Sequence, residues 1–371
     1  MGAYLLLMVL PLILSFLFYN VKDKRKNKYI SIFFFSYLII VFVFRDYSVG
    51  RDIPSYLDAY EKSSFHDWFD FDWIYMESGY IFLMKIFSTI GFTFRFFLLF
   101  LYSILVIPLS IYICRSSRDL SLSLIIYVCF QFFVFNMSGL RQTVALALCL
   151  IAFIIAHKNG KRAFFEYILF VLAAISIHRS AIVFLPAYFI MRQKLTFRMI
   201  LFYGIIAVLS IIKSNSILSY FQKNEITNYE FDEYLTIGST FYFVLGIVIL
   251  TYIFDKGKDN ETSWLNTKNN IFARTEKISI GLSNYANLLA CSILLLLVFN
   301  GTILMRASMF YQLALLVVLP NMLFTLPKDF RVVIKFGIII LMFAIFYFTV
   351  LVPSQFDIVP YKFVIDLNFI K

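Results

Sequence analysis

The chain has 371 residues, of which 61% are apolar and only 15% charged, and its mean hydropathy is +0.83. Soluble domains carry about a quarter charged residues, so there is too little polar surface here to coat a water-soluble globule. The formal net charge of +11 therefore points to basic loops at a membrane surface and not to a nucleic-acid partner.

The apolar residues fall into blocks close to the ~20 that cross ~30 Å of hydrocarbon. Lipid offers the backbone no hydrogen-bond partners, so such blocks are helices. The first, from Ala3 to Tyr19, has no basic stretch before it and no small-residue cleavage site after it, and reads as a retained helix. In chain order the candidate spans are 3–19, 29–44, 92–114, 120–136, 142–157, 163–178, 180–191, 199–213, 239–254, 279–299, 303–323 and 335–352. The expected fold is an all-α polytopic membrane protein of about 12 transmembrane helices, one domain over residues 1–371.

The connections alternate in charge. Lys22, Lys24, Arg25, Lys26 and Lys28 make the first one basic; Arg115 and Arg118, then Lys158, Lys161 and Arg162, then Arg192, Lys194 and Arg198 follow. Lys256, Lys258, Lys268, Arg274 and Lys277, then Lys328, Arg331 and Lys335, complete the series. These are every second connection, as the positive-inside rule requires of cytoplasmic loops, and both termini then lie outside. The segment Glu77 to Gly91 is apolar but short and carries Lys85; counting it as a span would flip every later basic loop outward. It is expected to be re-entrant or interfacial. Span 180–191 is short and holds Pro186, which predicts a broken helix. The outer segments are then loops 45–91 and 214–238 and the tail 353–371, the first dense in acids and in Trp68 and Trp73.

Arginines left on the outer side run against the charge bias: Arg45, Arg51, Arg95, Arg141, Arg179 and Arg306. Each alone can simply snorkel to the headgroups. Arg141, Arg179 and Arg306, however, sit in polar breaks between closely spaced spans, so they are expected to approach one plane. Arginine binds phosphate bidentately and stays charged, so the set reads as a site for an anionic substrate. His178 precedes Arg179; it is either a hydrogen-bonded structural residue or, with its pKa lowered by the arginine, a proton acceptor. His66 lies in the acidic loop and His157 at a cytoplasmic end. Asp52 is the other candidate base, unless it is a salt-bridge partner of Arg51. Cys114, Cys129, Cys149 and Cys291 lie in apolar blocks without metal-ligand spacing. There is no P-loop, dinucleotide fingerprint or serine elbow, so no metal or cofactor is expected.

Five motifs occur in order: Arg45-Asp46-Tyr47-Ser48-Val49-Gly50-Arg51-Asp52-Ile53-Pro54-Ser55-Tyr56; Glu77-Ser78-Gly79-Tyr80; Ser138-Gly139-Leu140-Arg141-Gln142; Ile177-His178-Arg179-Ser180-Ala181; and Arg306-Ala307-Ser308-Met309-Phe310-Tyr311. Together they resemble the EpsG-type family, the Wzy-like polymerases of bacterial capsule, exopolysaccharide and O-antigen. The resemblance covers residues ~45 to ~311. It implies a fold related to the GT-C membrane glycosyltransferases and an enzyme of the bacterial inner membrane, acting on its periplasmic or outer side. That enzyme transfers a growing glycan from undecaprenyl pyrophosphate to a lipid-linked repeat unit; the pathway's chain-length regulator and flippase are implied partners.

The positions matching the family pattern are Arg45, Gly50, Asp52, Tyr56, Glu77, Arg141, His178 and Arg306. Many members have Thr where this chain has Arg51, so a phosphate contact by Arg51 rests on its charge alone. The expected catalytic set is His178 or Asp52 as base, with Arg141 and Arg306 stabilising the leaving pyrophosphate. The expected substrate contacts are Arg45, Arg51, Tyr56, Glu77, Tyr80, Gln142, Arg179 and Tyr311. An O-antigen-ligase-like transferase would use the same arginines. A flippase or transporter would instead hold its charges near mid-membrane, and a membrane O-acyltransferase would draw on a cytoplasmic thioester.

Overall fold

The computed structural model of the protein describes residues 2–21, 23–158, 160–212, 239–256, 281–298 and 302–365. The expected outer loop 214–238 and the basic segment 257–280 lie outside these. The described residues are helical, without a β-strand; one isolated bridge pairs Arg45 with Phe363. In chain order the helices are α1 (Gly2–Leu17), α2 (Asp23–Val43), α3 (Ile53–Ser63), α4 (Ser78–Ile90), α5 (Phe94–Ser116), α6 (Leu120–Cys129), α7 (Gln131–Ser138), α8 (Leu140–Ala156) and α9 (Lys161–Ile177). They continue with α10 (Ala187–Ile190), α11 (Phe197–Ile212), α12 (Ser239–Lys256), α13 (Leu282–Val298), α14 (Thr302–Gln312), α15 (Leu315–Leu323) and α16 (Lys328–Phe346).

Four stretches are long and apolar enough to cross a membrane: Arg25–Val43, Phe94–Ser116, Arg306–Leu323 and Lys328–Leu351. A fifth is α6 with α7 if that pair, bent by 53° at Phe130, is one broken span. Most other predicted spans appear as apolar helices of 10–17 residues, roughly 15–26 Å at 1.5 Å per residue, and span 163–178 is the 17-residue α9. The shortening has local causes. Past α9 the chain runs as a 3-10 turn, Arg179–Phe184, and resumes at α10 only after Pro186, because proline removes a donor and blocks the preceding turn. At Glu77–Gly91 the expectation of a short segment is met by the 13-residue α4, which ends on left-handed Gly91.

The outside of the bundle is apolar. On α16, Phe330, Val333, Phe336 and Ile340 are each at least 60% exposed, and on α9 Phe165 and Leu169 stand out similarly. Soluble monomers rarely expose contiguous apolar faces of this kind; such a surface meets hydrocarbon.

The two ends of the bundle differ chemically. α8 and α9 form a tight antiparallel pair, so the start of α8 and the end of α9 share one end. At the opposite end basic side chains cap helix C-termini, where the dipole favours cations. Arg192 donates to the Ala156 and Tyr188 carbonyls at 2.7 and 2.6 Å, and Arg331 to the Leu323 carbonyl at 3.2 Å. Lys335 pairs with Asp119 at 2.5 Å there. Arg141 and His178 thus lie at the end away from these basic side chains.

Candidate functional site

Glu77 is the centre of the site. It is the N-cap of α4 in extended conformation, with a side chain only 11% exposed. Its Oε2 accepts from Arg141 Nη1 at 2.5 Å, while Oε1 accepts from the Arg179 backbone N–H at 3.0 Å and meets His178 Nδ1 at 3.2 Å. The contact is permitted by Gly79. A Cβ there would lie 2.5 Å from Ser176 Oγ and 2.6 Å from the Ser176 carbonyl oxygen, so only glycine lets the start of α4 press against the end of α9.

α9 ends at Ile177, and His178 follows it in the break. An ionised carboxylate only accepts hydrogen bonds, so His178 must donate from Nδ1, which leaves Nε2 unprotonated. That Nε2 is buried and has no hydrogen-bond partner among the described residues. Burial pushes the imidazole's pKa down, Glu77 pulls it back up, and the charges of Arg141 and Arg306 lower it again; the net direction is down. Burial alone would raise the Glu77 carboxyl, but the His178 hydrogen bond, the Arg141 and His178 charges and the Arg179 N–H together hold it at about 2. At neutral pH the pair is a carboxylate and a neutral imidazole oriented by it.

Arg141 opens α8. Its Nε donates to the Tyr56 hydroxyl at 3.2 Å, and Nη2 is left without a protein partner among the described residues. Next to it, Gln142 Nε2 donates to the Arg306 carbonyl at 2.7 Å and ties α8 to α14. The Arg306 guanidinium has no ion-pair partner among the described residues, and it lies over the Phe135 ring, 5.4 Å from its centroid. The structure therefore brings together His178, Arg141, Arg306, Glu77, Tyr56 and Gln142 from α3, α4, α8, α14 and the end of α9. The Arg179 side chain is exposed, and its backbone serves Glu77.

Asp52 stands beside this group as N-cap of α3. Its N–H donates to Ser138 Oγ at 3.1 Å, and its carboxylate makes no capping bond. Gly50, at φ +105°, turns the chain here; a Cβ would sit 2.6 Å from the Met137 carbonyl oxygen. Arg51 points to Asp357, with which it pairs at 2.9 Å in an exposed ion pair, so it does not join the other arginines.

Three expected substrate contacts lie inside the fold instead. Arg45 is fully buried: it donates to the Met137 carbonyl and, at 2.8 Å, to the Tyr102 hydroxyl, which in turn donates to the Asn136 carbonyl at 2.7 Å. A buried guanidinium needs protein acceptors for its donors, so Arg45 holds α7 against the segment carrying Gly50 and Asp52. Tyr80 is fully buried with its ring edge against Tyr56, and Tyr311 donates to the Val183 carbonyl at 2.6 Å, closing the 3-10 turn after His178. Arg95, also anomalous by topology, caps α2 through the Val43 carbonyl at 2.6 Å.

Sequence reasoning placed Glu77 among the substrate contacts and missed its orienting position. It also missed Ser180, whose buried hydroxyl next to this break has no partner among the described residues. Among the described residues no group of three or more His, Cys, Asp or Glu is arranged to hold a metal.

Helices with a lipid-compatible exterior and a Glu–His–Arg cluster at one end define a membrane-embedded protein with a polar site at a bundle terminus. The EpsG family model matches residues 28–363, and the chain belongs to that family. Membership makes it a membrane protein of polysaccharide-polymerase type. No curated protein and no solved structure matches the chain.

Proposed function

We propose that the protein is a glycosyltransferase that extends a polysaccharide by moving the growing glycan from undecaprenyl pyrophosphate onto a sugar hydroxyl of a lipid-linked repeat unit. The observation that carries this reading is the His178 Nε2, unpartnered among the described residues and within the field of Arg306, which has no ion-pair partner among them, with Nδ1 held by Glu77. The acceptor hydroxyl gives its proton to Nε2 as its oxygen forms the new bond to the donor's anomeric carbon. The bond from that carbon to the pyrophosphate oxygen breaks, and the lipid pyrophosphate leaves as an anion. Its growing charge falls to Arg306 and to the Arg141 Nη2, which has no partner among the described residues; their stabilisation is largest in the transition state. A carboxylate is intrinsically a weaker base than an imidazole, so Asp52 fits an acceptor-hydroxyl contact better than proton abstraction.

In this reading the chain crosses the membrane about 12 times in a GT-C-related arrangement within the bacterial inner membrane. Its site opens to the periplasm or exterior, because it lies at the bundle end opposite the basic connections. A chain-length regulator and a flippase of the same pathway are its proposed partners. A ligase would use the same groups, and the products separate the two. Deleting the gene should leave single lipid-linked repeat units and abolish polymer ladders, and His178→Ala should reproduce that. Normal ladders in either strain would overturn the assignment.

A further inference from the structure

Residues 354–364 do not trail away from the helices. They lie along the segment joining α2 to α3 through four backbone hydrogen bonds: Asp46 N–H to the Lys362 carbonyl (2.9 Å), Gly50 N–H to Asp357 (3.1 Å), Arg51 N–H to Phe356 (2.8 Å) and Val364 N–H to Phe44 (2.8 Å). Side chains fasten the same strap. Tyr4 donates to the Ile358 carbonyl at 2.7 Å and Tyr361 to the Val41 carbonyl at 3.0 Å. Within it Phe356 has φ +58° and ψ +24°, and Ser354 and Asp357 also have positive φ. Non-glycine residues keep such backbone only where their surroundings over-determine it.

What the strained turn presents is specific. The Phe356 ring meets Phe135 edge-on with centroids 4.9 Å apart, and the Arg306 guanidinium also lies over the Phe135 ring. Asp357 holds Arg51, one residue from Asp52, and the Arg51 guanidinium lies 6.0 Å from the Phe356 ring centroid. The Arg306 guanidinium has no ion-pair partner among the described residues and rests over the Phe135 ring, 5.4 Å from its centroid.

We propose that the strap is a positioning element of the site: Phe356 fixes Arg306 through Phe135, and Asp357 keeps the Arg51 charge away from the Asp52 turn. The proposal rests on the polymerase reading above, since it assigns Phe356 and Asp357 to the same reaction. A bulky side chain at 356 is then needed for turnover although it touches neither base nor leaving group. The alternative is that the strap only packs the fold.

Full-length Phe356→Leu, Phe356→Tyr, Arg306→Lys and the double variant Phe356→Leu/Arg306→Lys are reconstituted in vesicles. They are supplied with lipid-pyrophosphate repeat units extracted from the host, and initial polymerisation rates are taken per folded protein. Phe356→Leu should lower kcat about 10- to 100-fold with KM changed less than about 3-fold, the scale of a misplaced catalytic group. Phe356→Tyr should restore most of the rate. In the Arg306→Lys background the second substitution should cost less than about 2-fold, because the two residues act as one unit. A wild-type kcat in Phe356→Leu, or effects that multiply fully in the double variant, would overturn the positioning role. A loss that vanishes once rates are taken per folded protein would reduce the strap to packing and overturn it equally. Wild-type turnover in Arg306→Lys strikes instead at the phosphate assignment, whatever Phe356 does.

Discussion

Replacing Glu77 by Gln tests the site at its centre. The carboxylate is nearly isosteric with the amide, so the change removes charge and acceptor capacity while leaving the packing of α4 in place. Two things are lost. The first is the counter-charge of Arg141, 2.5 Å away. The gap between the usual 4.5 and about 2, set against the cost of burial first by the His178 hydrogen bond and then by the Arg141 charge, corresponds to roughly 3 kcal/mol for all these interactions together, of which the Arg141 charge is only a part. A carboxyl held down in this way contributes its stability above the unfolded pKa and loses it as pH falls from 4.5 through about 2. At neutral pH, therefore, the whole contribution is removed. The second loss is the acceptor that fixes the His178 tautomer. With an amide present, the proton of His178 is free to settle on Nε2, and the base is disarmed. A positioned general base contributes about 10²–10⁴ in rate, so kcat should fall by that factor, about 3–5 kcal/mol of transition-state stabilisation, while KM changes little. Vesicle-reconstituted protein fed lipid-linked repeat units, with polymer resolved by length, reads this directly. A Glu77→Gln variant that is correctly folded and polymerises within about 3-fold of wild type would refute the orienting role.

The remaining expectations use the same assay or the thermal stability of the detergent-solubilised protein. Because His178 is held below the ordinary imidazole range, the wild-type rate should survive at about pH 6.5, the ordinary imidazole value, and fall only in more acid solution. Glu77→Gln should move that limb lower still, since Glu77 is the group that raises the imidazole; an acid limb above about pH 7 would contradict the assignment. Arg141→Lys and Arg306→Lys keep the charge but lose the planar fork, so each should shorten the polymer and cost about 10- to 100-fold in kcat; full-length polymer from either would remove that arginine from the set. Gly79→Ala places a methyl group against the Ser176 backbone and should destabilise by about 1–3 kcal/mol while lengthening the Glu77–His178 contact; an unchanged melting temperature and rate would show that the close approach is unnecessary. Arg45→Met strands the Met137 carbonyl, while the Tyr102 hydroxyl keeps its bond to the Asn136 carbonyl, and should lower stability by about 1–3 kcal/mol. A stable variant with only KM raised would return Arg45 to the substrate contacts.

The helices were legible because lipid forces apolar blocks into one conformation: the ends of α1, α5, α8 and α9 fall within about two residues of where hydropathy places them, while α2 starts six residues earlier, in its basic stretch. The bend at Phe130 was not, since no Pro or Gly marks it and the apolar run continues on both sides. At the site, Arg141, His178 and Arg306 could be read as charges out of place against the topology. Arg45 and Arg95 show the same anomaly but turn their donors to helix ends and backbone carbonyls, and charge bias cannot separate these uses. The role of Glu77 was hidden for a different reason. Its meeting with His178, 101 residues away, depends on how closely α4 approaches α9, which Gly79 permits but does not announce.

The tail was the least legible part. Its left-handed residues are Ser354, Phe356 and Asp357, none of them the glycine that signals such a turn. Motif resemblance stopped near Tyr311, whereas the family match runs to Phe363, the residue that bridges to Arg45. The matched region thus closes on itself: the residue that ends it pairs with the residue that opens the motif series. The hydrogen-bonded strap between them, and not the sequence motifs alone, joins the Gly50–Asp52 turn to the ring beneath Arg306. A site assembled from α3, α4, α8, α9 and α14 needs such a tie, because side chains contributed by that many helix ends hold a reacting geometry only if the ends are fastened to one another.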